Sequence, residues 1–195
     1  MQMESKKEVN VKKEMIPKEK LFIEDTCNAL IKIKQPNIPS NILEKARTLG
    51  LLEKPEFHIS AIATRNGKII TDFLSASKKS ETIKNQIREG FLKLPWKYEL
   101  LDEYYLIEKF YNQEEIEKSG YKNVPNHNRS TLIQKIKLDD LHNYYSKLNK
   151  IMGLKLTSPF PHITLFSGSD YEPMANKGIG IYSQDDFNKY LKMKL

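Results

Sequence analysis

Two stretches decide the reading of this chain: Glu56-Phe57-His58-Ile59-Ser60-Ala61-Ile62 and Phe160-Pro161-His162-Ile163-Thr164-Leu165-Phe166. Both carry the β-branched and aromatic residues that favour strands. Along a strand, side chains two positions apart share a face and their neighbours point the other way. His58 and Ser60 are therefore expected on one face, with Ile59 turned into a core. His162 and Thr164 repeat the arrangement around Ile163. Each motif offers an imidazole beside a hydroxyl.

That pairing suits phosphodiester chemistry. An imidazole with a pKa near 6.5 serves as base or acid at neutral pH. A hydroxyl two positions on can donate to a phosphate oxygen as charge develops there. Two facing units would hold a phosphate from both sides. One neutral histidine would take a proton from water or a ribose 2′-OH, and the other, protonated, would give one to the leaving oxygen. The sequence leaves open which ring plays which part. The scheme needs no metal and no cofactor.

Working outward, residues 1–20 form a charged segment with six Lys and four Glu and no aromatic residue, read as a flexible tail. Residues 21–195 are expected to make one domain. Leu21 to Ile33 reads as a short helix or strand before Pro36 and Pro39. Ser40 is expected to cap a helix running to about Leu49. Asn66-Gly67, flanked by apolar residues, predicts a hairpin joining strands at about 56–64 and 68–74. Ser80 is then expected to cap a helix with Ile83, Ile87, Phe91 and Leu94 at helical spacing, stopped by Pro95.

A strand is expected over Tyr104–Tyr111, followed by a polar loop over 112–130. Next come a strand at 131–138, a helix capped by Asp139 or Asp140 and ended by Gly153, and the second motif strand at 159–166. After a turn-rich loop, GIGIYS (178–183) reads as a short strand, and a last helix is expected to be capped by Asp185 or Asp186. Strands mixed with helices and joined by a hairpin predict an α+β fold with antiparallel sheets.

Composition narrows the class. The chain has 195 residues, 29% of them charged, with one Cys, eight Phe, ten Tyr and one Trp. The single Cys27 excludes an internal disulfide framework, including that of the small disulfide-rich ribonucleases, and fits a reducing compartment. No run approaches the roughly 20 apolar residues of a spanning helix. The N-terminal stretch lacks the apolar segment of a secretory signal. The expectation is a cytoplasmic protein without membrane or obligatory protein partners, acting as a monomer. The net charge of +7 favours a polyanionic partner such as a nucleotide or oligonucleotide.

The motifs His58-Ile59-Ser60 and His162-Ile163-Thr164 resemble the paired signature of the two-histidine (2H) phosphoesterase superfamily, which includes the LigT-like 2′-5′ RNA ligase and cyclic phosphodiesterase proteins. The resemblance covers about residues 50–190, and the PFPHITLF and GIGIYS stretches are similar to bacterial and viral members. It implies a bilobal α+β fold, with two pseudo-symmetric lobes each supplying one motif strand to a central cleft. It also implies metal-independent cleavage of 2′,3′-cyclic phosphates, of 2′-5′ or 3′-5′ linkages, or of cyclic oligonucleotide signals, the last suggesting a role against host defence. Ser60 stands where many members carry Thr, which keeps the donor.

Three further residues are candidates for substrate binding. Arg129 suits bidentate contact with phosphate. Tyr182 in GIGIYS could stack on a base, and so could Tyr105 among the aromatic residues of 104–111. His127 is placed in the long loop, near enough to line a cleft, and His142 on a helix surface. The histidines lack zinc-ligand spacing. The competing reading is a non-catalytic nucleotide- or RNA-binding module on the same scaffold.

Overall fold

A computed structural model of the chain describes residues 14–118 and 121–195. The segment around Leu21 to Ile33 folds as a hairpin, β1 (Glu19–Ile23) against β2 (Asn28–Lys32). Alternation decides it: Ala29 and Ile31 are buried while their neighbours in β2 are only partly covered. Of the expected tail, residues 1–13 lie outside the described residues. The remainder is structured, since Met15 bridges to Tyr98 and Glu19 already pairs with Lys32.

A helix, α1 (Ser40–Thr48), follows the prolines, with Ser40 as its first turn and Pro39 in the capping position. A two-residue strand, β3 (Leu52–Glu53), then precedes the first motif strand, β4 (His58–Ile62). β4 pairs antiparallel with β2, giving a three-stranded sheet of order β1-β2-β4.

The hairpin expected at Asn66-Gly67 does not form. Both residues lie in a helix, α2 (Thr64–Ala76), which buries Asn66, Gly67, Ile70 and Leu74 on one face. Tertiary contact overrides the local turn preference. A Cβ on Gly67 would fall 2.1 Å from Asn28 Oδ1 and 2.5 Å from the Thr26 carbonyl oxygen, so glycine lets the helix press onto the β1–β2 turn. The Asn66 amide donates to the Tyr145 hydroxyl and the Thr157 carbonyl, both at 2.8 Å. The dipeptide is selected for packing and a buried polar tie.

Next come α3 (Ser80–Lys93) and the long strand β5 (Glu99–Tyr111). The expected 112–130 loop is shorter than its composition suggests. Asn112 accepts from the Glu115 N–H and starts a short helix, α4 (Gln113–Lys118), and β6 (His127–Lys137) begins four residues early. Helix α5 (Asp139–Met152) ends at Gly153, whose φ of 67° is the left-handed turn that glycine tolerates. Its Asp140 accepts from the Trp96 N–H instead of capping its own helix.

The second motif strand is β7 (His162–Ser169). The strand expected at GIGIYS does not form. Ser183, not an aspartate, caps the last helix, α6 (Gln184–Tyr190), by accepting from the Asp186 N–H. The chain then adds β8 (Leu191–Lys194) against β5. The larger sheet is antiparallel throughout, in the order β3-β7-β6-β5-β8.

Two cores result. The main one lies between the two sheets, α1, α2, α3 and α5, and centres on Phe91, Trp96 and Tyr144 with ring centroids 5.3–6.2 Å apart. The smaller one covers the opposite face of the larger sheet, where Tyr105, Ile107 and Ile133 meet Ile179, Ile181 and Phe187. The fold is α+β with two antiparallel sheets. Among the described residues no helix is long and apolar enough to cross a membrane.

Candidate functional site

The motif strands alternate as their sequences require. Ile59 is 1% exposed and Ile163 0%, each buried in the main core, while His58, Ser60, His162 and Thr164 are only partly covered. Truncating a fully buried isoleucine costs about 2–5 kcal/mol, so each motif is anchored by its middle residue. β4 and β7 belong to different sheets, yet their Cα atoms approach within 8 Å. The two imidazoles are close enough to sense one another: a charge on His58 disfavours protonation of His162.

The His162 ring is held by its own strand entry. Its Nδ1 lies 2.7 Å from the Phe160 carbonyl oxygen. A carbonyl only accepts, so Nδ1 carries the hydrogen and Nε2 keeps a lone pair. Phe160 is itself fixed, its ring stacked on Phe187 at 4.1 Å and its N–H donated to the Ile181 carbonyl. Burial pushes the His162 pKa down to about 4, against the opposing pull of the Phe160 carbonyl.

His58 stands opposite Lys32 in the β2–β4 register. Its pKa is also lowered, first by burial and then by Lys54, with Glu56 acting the other way. Lys32 is shared by Glu19 and Glu56, both at 3.7 Å. Thr164 is backed by the segment that follows the turn: a Cβ on Gly178 would lie 3.6 Å from its Oγ1. That segment is strapped to the larger sheet, because the Ile179 N–H donates to the Thr131 hydroxyl.

The remaining sequence candidates fall in two places. Tyr182 is partly buried, with the Arg65 guanidinium 5.8 Å from its ring centroid. Arg65 sits in the first turn of α2, directly after the first motif strand, so this pair joins the surroundings of both motifs. Tyr105 is elsewhere. It is buried in the smaller core against Phe187, and its hydroxyl donates to Glu103 at 2.5 Å.

Arg129 is not a loop arginine. It is 4% exposed in β6, donates to His127 Nε2 at 3.0 Å and to the Gly178 carbonyl at 3.5 Å, and lies over the Tyr111 ring at 4.2 Å. His127 is likewise buried, with Nδ1 on the Pro125 carbonyl and its ring stacked on Tyr111. Both act as internal supports, and Arg129 reaches the site through Gly178. His142 is exposed on α5. Among the described residues no three His, Cys, Asp or Glu side chains gather as a metal cage.

Sequence reasoning missed Lys54, Arg65, Asn66 and the Phe160 carbonyl. Lys54 precedes His58 by four residues with a proline between, a spacing without a recognisable pattern. Arg65 and Asn66 were hidden by the hairpin expectation. Compared with protein-family models, curated proteins and solved structures, the chain finds no match.

Proposed function

We propose that this protein is a metal-independent phosphodiesterase acting on nucleotide or RNA phosphodiesters, on the bilobal two-histidine plan, with His58 and His162 as its acid–base pair. The observation that supports it most is the His162 ring, tethered through Nδ1 to the Phe160 carbonyl, which leaves Nε2 with a free lone pair.

His162 is the base in this reading, because a pKa near 4 keeps it neutral at pH 7. Its Nε2 takes the proton from water or a ribose 2′-OH as that oxygen bonds to phosphorus. The bond from phosphorus to the leaving oxygen breaks, and His58 gives its proton to that oxygen. The substrate's own negative charge raises the pKa of a neighbouring imidazole, which allows His58 to arrive protonated. Ser60 and Thr164 donate to the non-bridging oxygens, where donors aimed at developing charge are worth about 10²–10³ in rate. Tyr182 with Arg65 offers a flat, cationic surface for a base.

The test is a panel of 2′,3′-cyclic mononucleotides, 2′-5′ and 3′-5′ oligonucleotides and cyclic oligonucleotides, read by mass spectrometry in EDTA. His58→Ala and His162→Ala should each lower turnover by at least about 10². Undiminished cleavage by the double variant would overturn the catalytic reading. Binding without product in the unaltered protein would favour the non-catalytic module instead.

A further inference from the structure

Beside the paired motifs lies a second cationic group that the chemistry above does not use. Lys54 follows the edge strand β3, and its N–H donates to the Leu165 carbonyl at 2.9 Å, which places it alongside the strand carrying Thr164. Its side chain crosses to the turn after β7, where Nζ donates to the Asn176 carbonyl at 2.6 Å. Lys177 is the next residue, and Gly178 after it lies close enough to Thr164 that an added Cβ would reach ordinary contact with its side chain. The two lysines thus lie on the segments that flank Thr164.

The charges here are uncompensated. Among the described residues, neither Lys54 nor Lys177 forms an ion pair with a carboxylate, whereas Lys32, Lys84, Lys97, Lys109 and Lys135 each do. Lys54 is partly buried, which does most to lower its pKa, and the nearby charge of Lys177 lowers it further. An ammonium has three donors, and Lys54 spends one on Asn176. Lys54, anchored one residue before the exposed Lys177 and with donors to spare, makes with it a cationic pair that fits an anion other than the reacting one.

We propose that Lys54 and Lys177 form a second phosphate subsite, so that the preferred substrate is an oligonucleotide carrying a phosphate adjacent to the scissile one. This rests on the phosphodiesterase reading for the identity of the first phosphate. It distinguishes substrates of two or more phosphates from 2′,3′-cyclic mononucleotides, which have only one.

The experiment measures binding by calorimetry with the full chain, using ApA, pApA and ApAp, which differ only in a terminal phosphate. The His58→Ala, His162→Ala double variant is used so that no ligand is consumed. Either pApA or ApAp should bind about tenfold more tightly than ApA, the gain expected of hydrogen bonds to a charged group. Adding Lys54→Met and Lys177→Met should abolish that gain and leave ApA binding within about twofold, since ApA has no second phosphate to place. Equal affinity for all three ligands, or a gain that survives both lysine substitutions, would overturn the subsite. Absence of cleavage by the unaltered protein would instead sink the catalytic reading while the binding comparison still decides the lysines. Circular dichroism of the methionine variants checks that they fold.

Discussion

A partly buried base that is held neutral should leave a mark on stability as well as on rate. His162 is held neutral, with its pKa lowered from 6.5 to about 4 chiefly by burial. The unfolded chain, with an ordinary histidine, therefore binds more protons than the folded one between those two values. Stability contributed by the neutral ring is complete above pH 6.5 and is lost as pH falls towards 4. At pH 4.5 the unfolded histidine is almost wholly protonated and the folded one only about a quarter so. Integrating between pH 7 and pH 4.5 gives a loss of about 2.5 kcal/mol from this one group. His58 contributes in the same direction, so a variant is needed to separate the two. In His162→Asn the amide nitrogen takes the place of Nδ1 and can still donate to the Phe160 carbonyl but cannot titrate. Urea unfolding of both proteins at pH 7 and pH 4.5 provides the assay. The difference in stability between the two pH values should be smaller by about 2–3 kcal/mol in the variant. The same pH dependence in both proteins would refute the buried neutral ring, and with it the assignment of His162 as base.

The rate should follow from the same two groups. With His162 deprotonated above about 4 and His58 protonated only below a pKa that itself lies under the ordinary 6.5, kcat/KM is expected to be bell-shaped with its maximum on the acid side of 6.5. A maximum above pH 7 would contradict that order. Gly67→Ala places a Cβ against the Thr26 backbone and should cost about 1–3 kcal/mol in chemical denaturation, although alanine is the better helix former; a neutral or stabilising result would mean that α2 does not seat on the β1–β2 turn. Arg129→Leu should lower kcat more than it raises KM, because the arginine acts through Gly178 and Thr164 without touching substrate; a rise in KM alone, with kcat kept, would make it a binding residue.

How much of this was legible in the sequence depended on the range of the forces involved. The two motif strands, the helices α3 and α5 and the glycine at the end of α5 follow from alternation, helical spacing and capping, which are properties of neighbouring residues. The placement of His58 beside Ser60 and of His162 beside Thr164 was legible for the same reason, since a strand alone sets it. Asn66-Gly67 misled because the strongest local signal for a turn is also the smallest residue available where a helix meets a backbone. Whether a glycine serves a turn or a contact is decided by what lies across from it, here Thr26 and Asn28. The same holds for Arg129 and Tyr105, polar and aromatic residues on strand faces that only the second core covers.

The sequence by itself determined that two imidazole–hydroxyl units exist, on strands, each anchored by a buried isoleucine. Tertiary structure alone decided that those strands from separate sheets approach one another, that Phe160 holds the second ring, and that Lys54 reaches across to the Asn176 carbonyl. The physical reason is distance along the chain. Residues more than a hundred positions apart are brought together by burial of two apolar cores, and hydrophobic burial is non-directional until the side chains are packed.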